Sequence, residues 1–154
     1  MTTKPPDSGR KIVELNRRAR FEFHIIEVFE AGIVLTGAEI KSIRNGGASI
    51  AESYVRPDKG EVWWLGANIQ PYSHTADTSY NPTRPRKLLL HAHEIDKLRG
   101  RVEAKGLTIV PLQLYLQGGR AKLEIALARG KNAPDKRDAI KERQTKREMA
   151  REMK

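Results

Sequence analysis

The sequence predicts a mainly β protein: a small, partly closed antiparallel barrel with two or three flanking helices and a basic C-terminal tail, flexible or helical. Three observations carry this. Residues 107–117 alternate, with Thr108, Val110, Leu112, Leu114 and Leu116 on one side; Ala121, Leu123, Ile125 and Leu127 repeat the pattern across Gly118-Gly119. Period-two alternation across a Gly pair marks the two long strands of one hairpin. Four shorter β-prone stretches precede it, bringing the inventory to about six strands. The last 25 residues, 130–154, contain no aromatic, and their only large apolar residues are Ile140, Met149 and Met153. Such a segment buries too little surface to fold alone.

In chain order, residues 1–11 are polar, carry Pro5, Pro6 and Gly9, and are expected to be disordered. The domain proper is expected over 12–130 and the tail over 131–154. Residues 21–29 are rich in Phe, Ile and Val and read as a strand. Their alternation slips in phase between Ile25 and Ile26, which predicts a bulge or bend. Glu30-Ala31-Gly32 reads as a turn and 33–35 as a short second strand. Residues 37–45 read as a helix, with Ala38, Ile40 and Ile43 roughly helically spaced and Gly46-Gly47 as the stop. Residues 53–56 and 61–65 are β-prone and are joined across Pro57-Asp58-Lys59-Gly60, a hairpin signal. Residues 70–86 hold Pro71, Pro82 and Pro85 without periodicity and read as a long surface loop. Residues 88–104 are expected to hold a helix, with Leu89, Ile95, Leu98 and Val102 partly on one face. In the tail, Pro134 suits a first helical position, Asp135 suits the helix N-terminus, and Glu142 and Lys146 form a favourable i,i+4 pair.

The 154 residues suit one domain with appendages. Lys and Arg number 29 against 19 Asp and Glu, for a net charge of +10. From Ala133 onward there are 8 basic and 5 acidic residues, so the tail carries +3 and the body +7. The basic character is spread along the chain, which favours a polyanionic partner: nucleic acid, or less often an anionic membrane surface. The absence of cysteine excludes disulfides and thiolate zinc sites. No apolar run approaches the roughly 20 residues that span a bilayer, and the N-terminus lacks the apolar stretch of a signal peptide. A cytoplasmic protein is the expectation.

Catalytic signatures are sparse. Gly130-Lys131 lacks the Ser or Thr and the upstream glycine of a phosphate loop. His91-Ala92-His93 could seed a metal site on a strand, but His24 and His74 have no motif spacing to it; a helix start is the plainer reading, and no metal is expected. Glu22 and His24, two apart, would share a strand face and could serve a nuclease, as could Glu94; the pattern has little specificity. No catalytic residue and no cofactor are assigned.

Binding features are richer. Arg17, Arg18 and Arg20 cluster before the first strand, Lys41 and Arg44 lie on the exposed side of the 37–45 helix, and Arg84, Arg86 and Lys87 close the long loop. These can neutralise phosphates and make binding fall steeply with salt. Trp63-Trp64 reads as buried core for both rings, although an exposed ring could stack on a base.

Ordered motifs add a resemblance. Asn16-Arg17-Arg18-Ala19, Phe29-Glu30-Ala31-Gly32, the run 37–44 (GAEIKSIR), the run 81–90 (NPTRPRKLLL), and Gly130-Lys131 followed by Asp135-Lys136-Arg137 occur in this order. From about Ile12 onward the chain resembles the SmpB family, the SsrA-binding (tmRNA-binding) proteins of bacteria. The resemblance implies an OB-like barrel whose tail is disordered when free. It also implies an adaptor, not an enzyme. Such an adaptor binds the tRNA-like domain of tmRNA (SsrA RNA) and brings it, with elongation factor Tu, to ribosomes stalled without a codon in the A site, so that the stalled chain is tagged and released.

By motif, Glu30, Leu89 and Lys122 match positions the family uses on the tRNA-like domain, and Asn16 lies in the same RNA-facing neighbourhood. Gly130, Lys131, Asp135, Lys136 and Arg137 match the tail motif that works in the decoding centre. The charged segment beyond, with Ile140, Met153 and Lys154, is implied to lie as a helix in the vacant mRNA channel. Two positions depart from the pattern: Pro134 stands where many relatives have His, and Ala38 where many have Thr or Trp. A ribosomal or ribosome-assembly protein with a similar core and a basic arm is the alternative reading.

Overall fold

A computed structural model describes residues 10–72 and 80–131. Nine strands and three helices occur among the described residues: β1 Arg10–Leu15, α1 Ala19–Glu22, β2 Phe23–Ile33, α2 Gly37–Arg44, β3 Ala48–Ser49, β4 Tyr54–Asp58, β5 Glu61–Leu65, β6 Asn68–Ile69, β7 Arg86–Leu89, α3 Ala92–Lys105, β8 Thr108–Gln117 and β9 Arg120–Gly130. The main sheet runs β1-β8-β4-β5-β7-β2-β9, and β8 also pairs with β9. That last pairing closes six strands into a ring, with β1 laid along the second half of β8. All of these pairings are antiparallel. The fold is the mainly β, OB-like barrel that the sequence predicts.

The ring is filled from its strands and plugged by its helices. Val55, Val62, Trp64, Leu88, Leu114, Leu123 and Ile125 point inward, and Ile43 of α2 and Leu98 of α3 are fully buried against them. Each such aliphatic side chain stabilises the fold by about 1.5–3 kcal/mol. Trp64 is wholly buried and donates its Nε1–H to Ser53 Oγ at 2.9 Å, while Ser53 passes its own hydrogen to the Ile50 carbonyl at 2.6 Å. Trp63 is half-buried, because neighbours on a strand face opposite ways; the expectation that both rings are core holds for Trp64 alone.

Two long strands carry bulges. The register of β2 against β9 shifts between Ile25 and Glu27, where the phase slip in the sequence lies. A second shift between Pro111 and Gln113 in β8 was not legible. It splits the expected single face of that strand. Leu114 and Leu116 enter the barrel core, whereas Val110 and Leu112 turn outward and form a second small core with Ala19, Ala126 and Ala128 beneath α1. Ala121, Leu123, Ile125 and Leu127 all face the main core, as their alternation predicts.

Other boundaries differ from expectation. β1 takes in Arg10 and Lys11, assigned from sequence to the disordered N-terminus, because they pair with Gln117 and Leu116; residues 1–9 lie outside the described set. Phe21 belongs to α1, and the predicted turn Glu30-Ala31-Gly32 is continuous strand: Ala31 is fully buried and pairs with Leu123. Leu88 and Leu89 belong to β7, not to a helix, because Leu88 bridges Val62 of β5 and Ile33 of β2 and completes the ring. The 53–65 hairpin forms as expected, with a tighter link: Lys59 and Gly60 alone make the turn, at φ 51° and 79°.

Candidate nucleic-acid interface

Glu30 sits on β2 facing outward, and Lys122 sits on the neighbouring β9. Glu30 Oε1 accepts from Lys122 Nζ at 2.7 Å. Tyr115 of β8, cross-strand from Lys122, donates its hydroxyl to Glu30 Oε2. Burial works to raise the Glu30 pKa, but the bonds from Lys122 and Tyr115 and the charges of Lys122 and Arg10 outweigh it, so the carboxyl lies below its usual value. Burial and the Glu30 carboxylate push the Tyr115 phenol up. Glu30 is therefore a fixed anion and Tyr115 a fixed donor.

Beside this pair lies an open groove of about 380 Å³. Its floor is Ile33, Leu35, Ile40 and Leu89, and its rim is Glu30, Lys122 and Arg120. Leu89 is 53 % exposed and, with Ile33, Leu35 and Ile40, gives the groove an apolar surface. It stands out because β7 pairs β2 only at its tip, Gly32 against Leu89 and Ile33 against Leu88. Arg44 of α2 borders the same end of the barrel: its Nη2 would lie 3.8 Å from a Cβ at Gly119. Lys41, also exposed, sits 5.5 Å from the ring centre of Tyr72. The fold thus brings Glu30, Leu89 and Lys122 together from three strands.

A second basic region surrounds α1. Arg17, Arg18 and Arg20 are exposed. Asn16 is tied down: its Nδ2–H donates to the Pro111 carbonyl at 2.8 Å and its backbone N–H to the Leu112 carbonyl at 2.8 Å. The end of β9 joins this region. Gly130 pairs with Phe23, the Lys131 N–H donates to the Glu22 carbonyl at 2.8 Å, and Lys131 Nζ donates to the Arg20 carbonyl at 3.1 Å. Asp135, Lys136, Arg137, Ile140, Met153 and Lys154 lie outside the described residues.

The third basic cluster needs correction. Arg86 is fully buried and donates to Glu39 Oε2 at 2.8 Å, to the carbonyls of Ala67, Arg84 and Pro82 at 3.1, 3.2 and 3.0 Å, and to the Tyr80 hydroxyl at 3.1 Å. Every guanidinium N–H is used, so none is left for phosphate. Arg84, partly exposed, also grips Glu39, with Nε 3.1 Å from Oε2 and Nη2 close on Oε1. Glu39 in turn is the third residue of a capping box: Thr36 N–H donates to its Oε1 at 2.9 Å, and its own N–H to Thr36 Oγ1 at 3.2 Å. Burial raises the Glu39 pKa, but the bonds from Arg84, Thr36 and Arg86 prevail and hold it at about 2. Lys87 makes a half-exposed pair with Glu61 at 3.2 Å.

The nuclease pattern does not assemble. Glu22 is on α1 and His24 on β2, so they share no strand face. Glu94 is a helix-start residue, its Oε1 accepting from the His91 N–H at 3.1 Å. His91 and His93 stack with ring centres 5.6 Å apart at the start of α3, which is the helix-start reading of that motif. Among the described residues, no group of three His, Asp or Glu is placed to hold a metal ion. No described helix is long and apolar enough to cross a membrane. Sequence reasoning missed Arg10 and Tyr115. Tyr115 could have been found, because it falls between Leu114 and Leu116 and so must leave the core face; Arg10 left no such signal.

A closed antiparallel barrel with an apolar groove, a charged rim and separate basic surfaces defines an OB-like β-barrel of the kind that receives oligonucleotides. The chain belongs to the SmpB family: the family model described as SmpB protein matches residues 13–154. It is 55% identical over 151 residues to the SsrA-binding protein of Novosphingobium aromaticivorans, covering 97% of this chain and 94% of that one. It is 50% identical over 145 residues to the SsrA-binding protein of Acidothermus cellulolyticus, covering 94% and 91%. A chain in the solved structure described as "tmRNA-SmpB: a journey to the center of the bacterial ribosome" superposes with a TM-score of 0.65 at 44% identity, over 82% of this chain and 93% of that one.

Proposed function

We propose that this protein is an RNA-binding adaptor. It binds the tRNA-like domain of tmRNA and delivers it to stalled ribosomes in the cytoplasm, with elongation factor Tu joined through the RNA. The observation that carries this reading is the convergence of Glu30, Leu89 and Lys122 on one groove. Leu89 offers an apolar wedge for an unstacked base, Lys122 a cation for phosphate, and Glu30 holds Lys122 in place. Lys41 and Arg44, exposed on α2, supply phosphate contacts near the groove, and Arg17 and Arg18, exposed in the separate region around α1, supply further ones. The adaptor needs no chemistry of its own.

In this reading residues 131–154 are the ribosomal arm. Gly130 and Lys131 root it. Asp135, Lys136 and Arg137 act in the decoding centre, and the segment bearing Ile140, Met153 and Lys154 occupies the mRNA channel as a helix. A basic segment that folds only inside an RNA-walled channel requires that channel to be empty, which couples delivery to the absence of message.

The test is a competition gel shift at about 150 mM salt, where unspecific phosphate attraction is partly screened. The labelled probe is the tRNA-like domain of tmRNA and the competitor is ordinary tRNA. Retained binding against a large excess of tRNA supports the adaptor. Equal competition overturns it and raises a general ribosomal RNA-binding protein in its place.

A further inference from the structure

Resting on that reading, we propose that Arg10 is a positioning residue of the RNA groove: it acts through Glu30 and touches no RNA itself. Arg10 opens β1, the strand added outside the closed ring. Its guanidinium lies 3.9 Å over the centre of the Tyr115 ring. One Nη is 3.4 Å from Glu30 Oε2 and the other 3.7 Å from Glu124 Oε2. Its side chain is only 19% exposed. Its Nε is buried without a partner among the described residues, where what fixes the group is the ring below it and the two carboxylates beside it.

This geometry gives Arg10 a lever on the groove. Glu30 holds Lys122 through Oε1, while Oε2 is shared between Tyr115 and Arg10. The aromatic ring is fully buried, with the guanidinium lying over one face of it. Removing the guanidinium uncovers the ring, frees the phenol to turn, and releases one side of the Glu30 carboxylate. Lys122 is then less firmly anchored at the rim. A fixed Lys122 matters because a pre-positioned cation loses less rotamer entropy on meeting a phosphate.

The competing view is that Arg10 is one more phosphate ligand, and the two views predict different numbers. Dissociation constants for the tRNA-like domain are measured for the full-length wild type, Arg10→Gln, Glu30→Gln and the double variant, each over a range of salt. Arg10→Gln is expected to weaken binding about tenfold, within the range of couplings between contacting residues, and less than about twofold when Glu30→Gln is already present. The salt slope stays at the wild-type value. Equal weakening in both backgrounds, or a slope reduced by about one unit as for a direct phosphate ligand, overturns the proposal. Tyr115→Phe keeps the ring and removes the hydroxyl; it should show the same dependence on Glu30, which covers the case of an Arg10 variant that folds poorly. A wild-type protein that does not prefer the tRNA-like domain overturns the adaptor reading. A wild type that does, with Arg10→Gln unaffected, overturns this proposal alone.

Discussion

Arg86 and Glu39 form an ion pair with both side chains fully buried, the Arg86 Nε–H donating to Glu39 Oε2 at 2.8 Å. The pair links the start of β7 to the first turn of α2, 47 residues apart. With Arg84, Tyr80 and the Thr36 cap it fixes residues 80–86 against the helix that carries Lys41 and Arg44. What looks in sequence like a phosphate-binding cluster is the internal brace of the surface beside it.

Acid should loosen this brace. The Glu39 carboxyl is held at about 2 against an ordinary value of 4.5, so the unfolded chain binds the proton more readily than the folded one. Its contribution is therefore complete above about pH 4.5 and is lost as the pH falls from there through about 2. The difference corresponds to about 3 kcal/mol. Urea unfolding of wild type and Glu39→Gln should show a large gap at neutral pH that narrows as pH falls through this window. A gap independent of pH excludes the charged brace as its source.

Arg86→Ala leaves Glu39 buried and short of a partner, and should cost about 3–5 kcal/mol of stability. Where the variant remains folded, its RNA affinity should keep the wild-type dependence on salt. Lys41→Ala with Arg44→Ala should do the reverse. Unfolding should shift by no more than about 0.5 kcal/mol per site, while the salt slope falls by about 0.7–1 for each phosphate that is no longer neutralised. Filter binding over a salt series distinguishes the two patterns.

Glu30→Ala raises the net charge by one, so simple attraction to RNA would strengthen binding. The anchor role of Glu30 predicts the opposite, a loss of about tenfold for the tRNA-like domain. Isothermal titration of both proteins with that RNA decides the sign, and tighter binding by the variant removes Glu30 from the site.

Deletion of residues 134–154 should leave affinity for the tRNA-like domain within about threefold, since the arm adds little to phosphate binding at the groove. The same deletion should abolish tagging in a purified translation system stalled on a message without a stop codon. Failure of the truncated protein to bind RNA shows that the tail has been assigned to the wrong step.

The parts legible in sequence were those set by local rules. The 108–130 hairpin announced itself through alternation around Gly118-Gly119, and the β2 bulge through the misplaced Ile26. The α2 stop was visible in Gly46, which takes φ 77°. The failures came where a distant partner decides. Glu30-Ala31-Gly32 has turn composition, yet pairing with Glu124, Leu123 and Lys122 holds it extended. Arg86 reads as surface because its acid lies far away in sequence. Arg10 enters the candidate site only because β1 lies along β8, a pairing nothing local announces, whereas Tyr115 reaches it across the legible β8–β9 hairpin.

That pairing has a consequence for how the protein is made. β1 is the first described strand to leave the ribosome, and its partner β8 is among the last. β2 finds most of its register in β9, later still. Until residue 130 has emerged, the N-terminal strands have open edges and an uncovered apolar face, and non-local closure of this kind is slow. A chain cut short before β9 therefore lacks the strand that joins β8 to β2, and its ring stays open. Closure of the ring is thus a late event of synthesis, because it waits for β9.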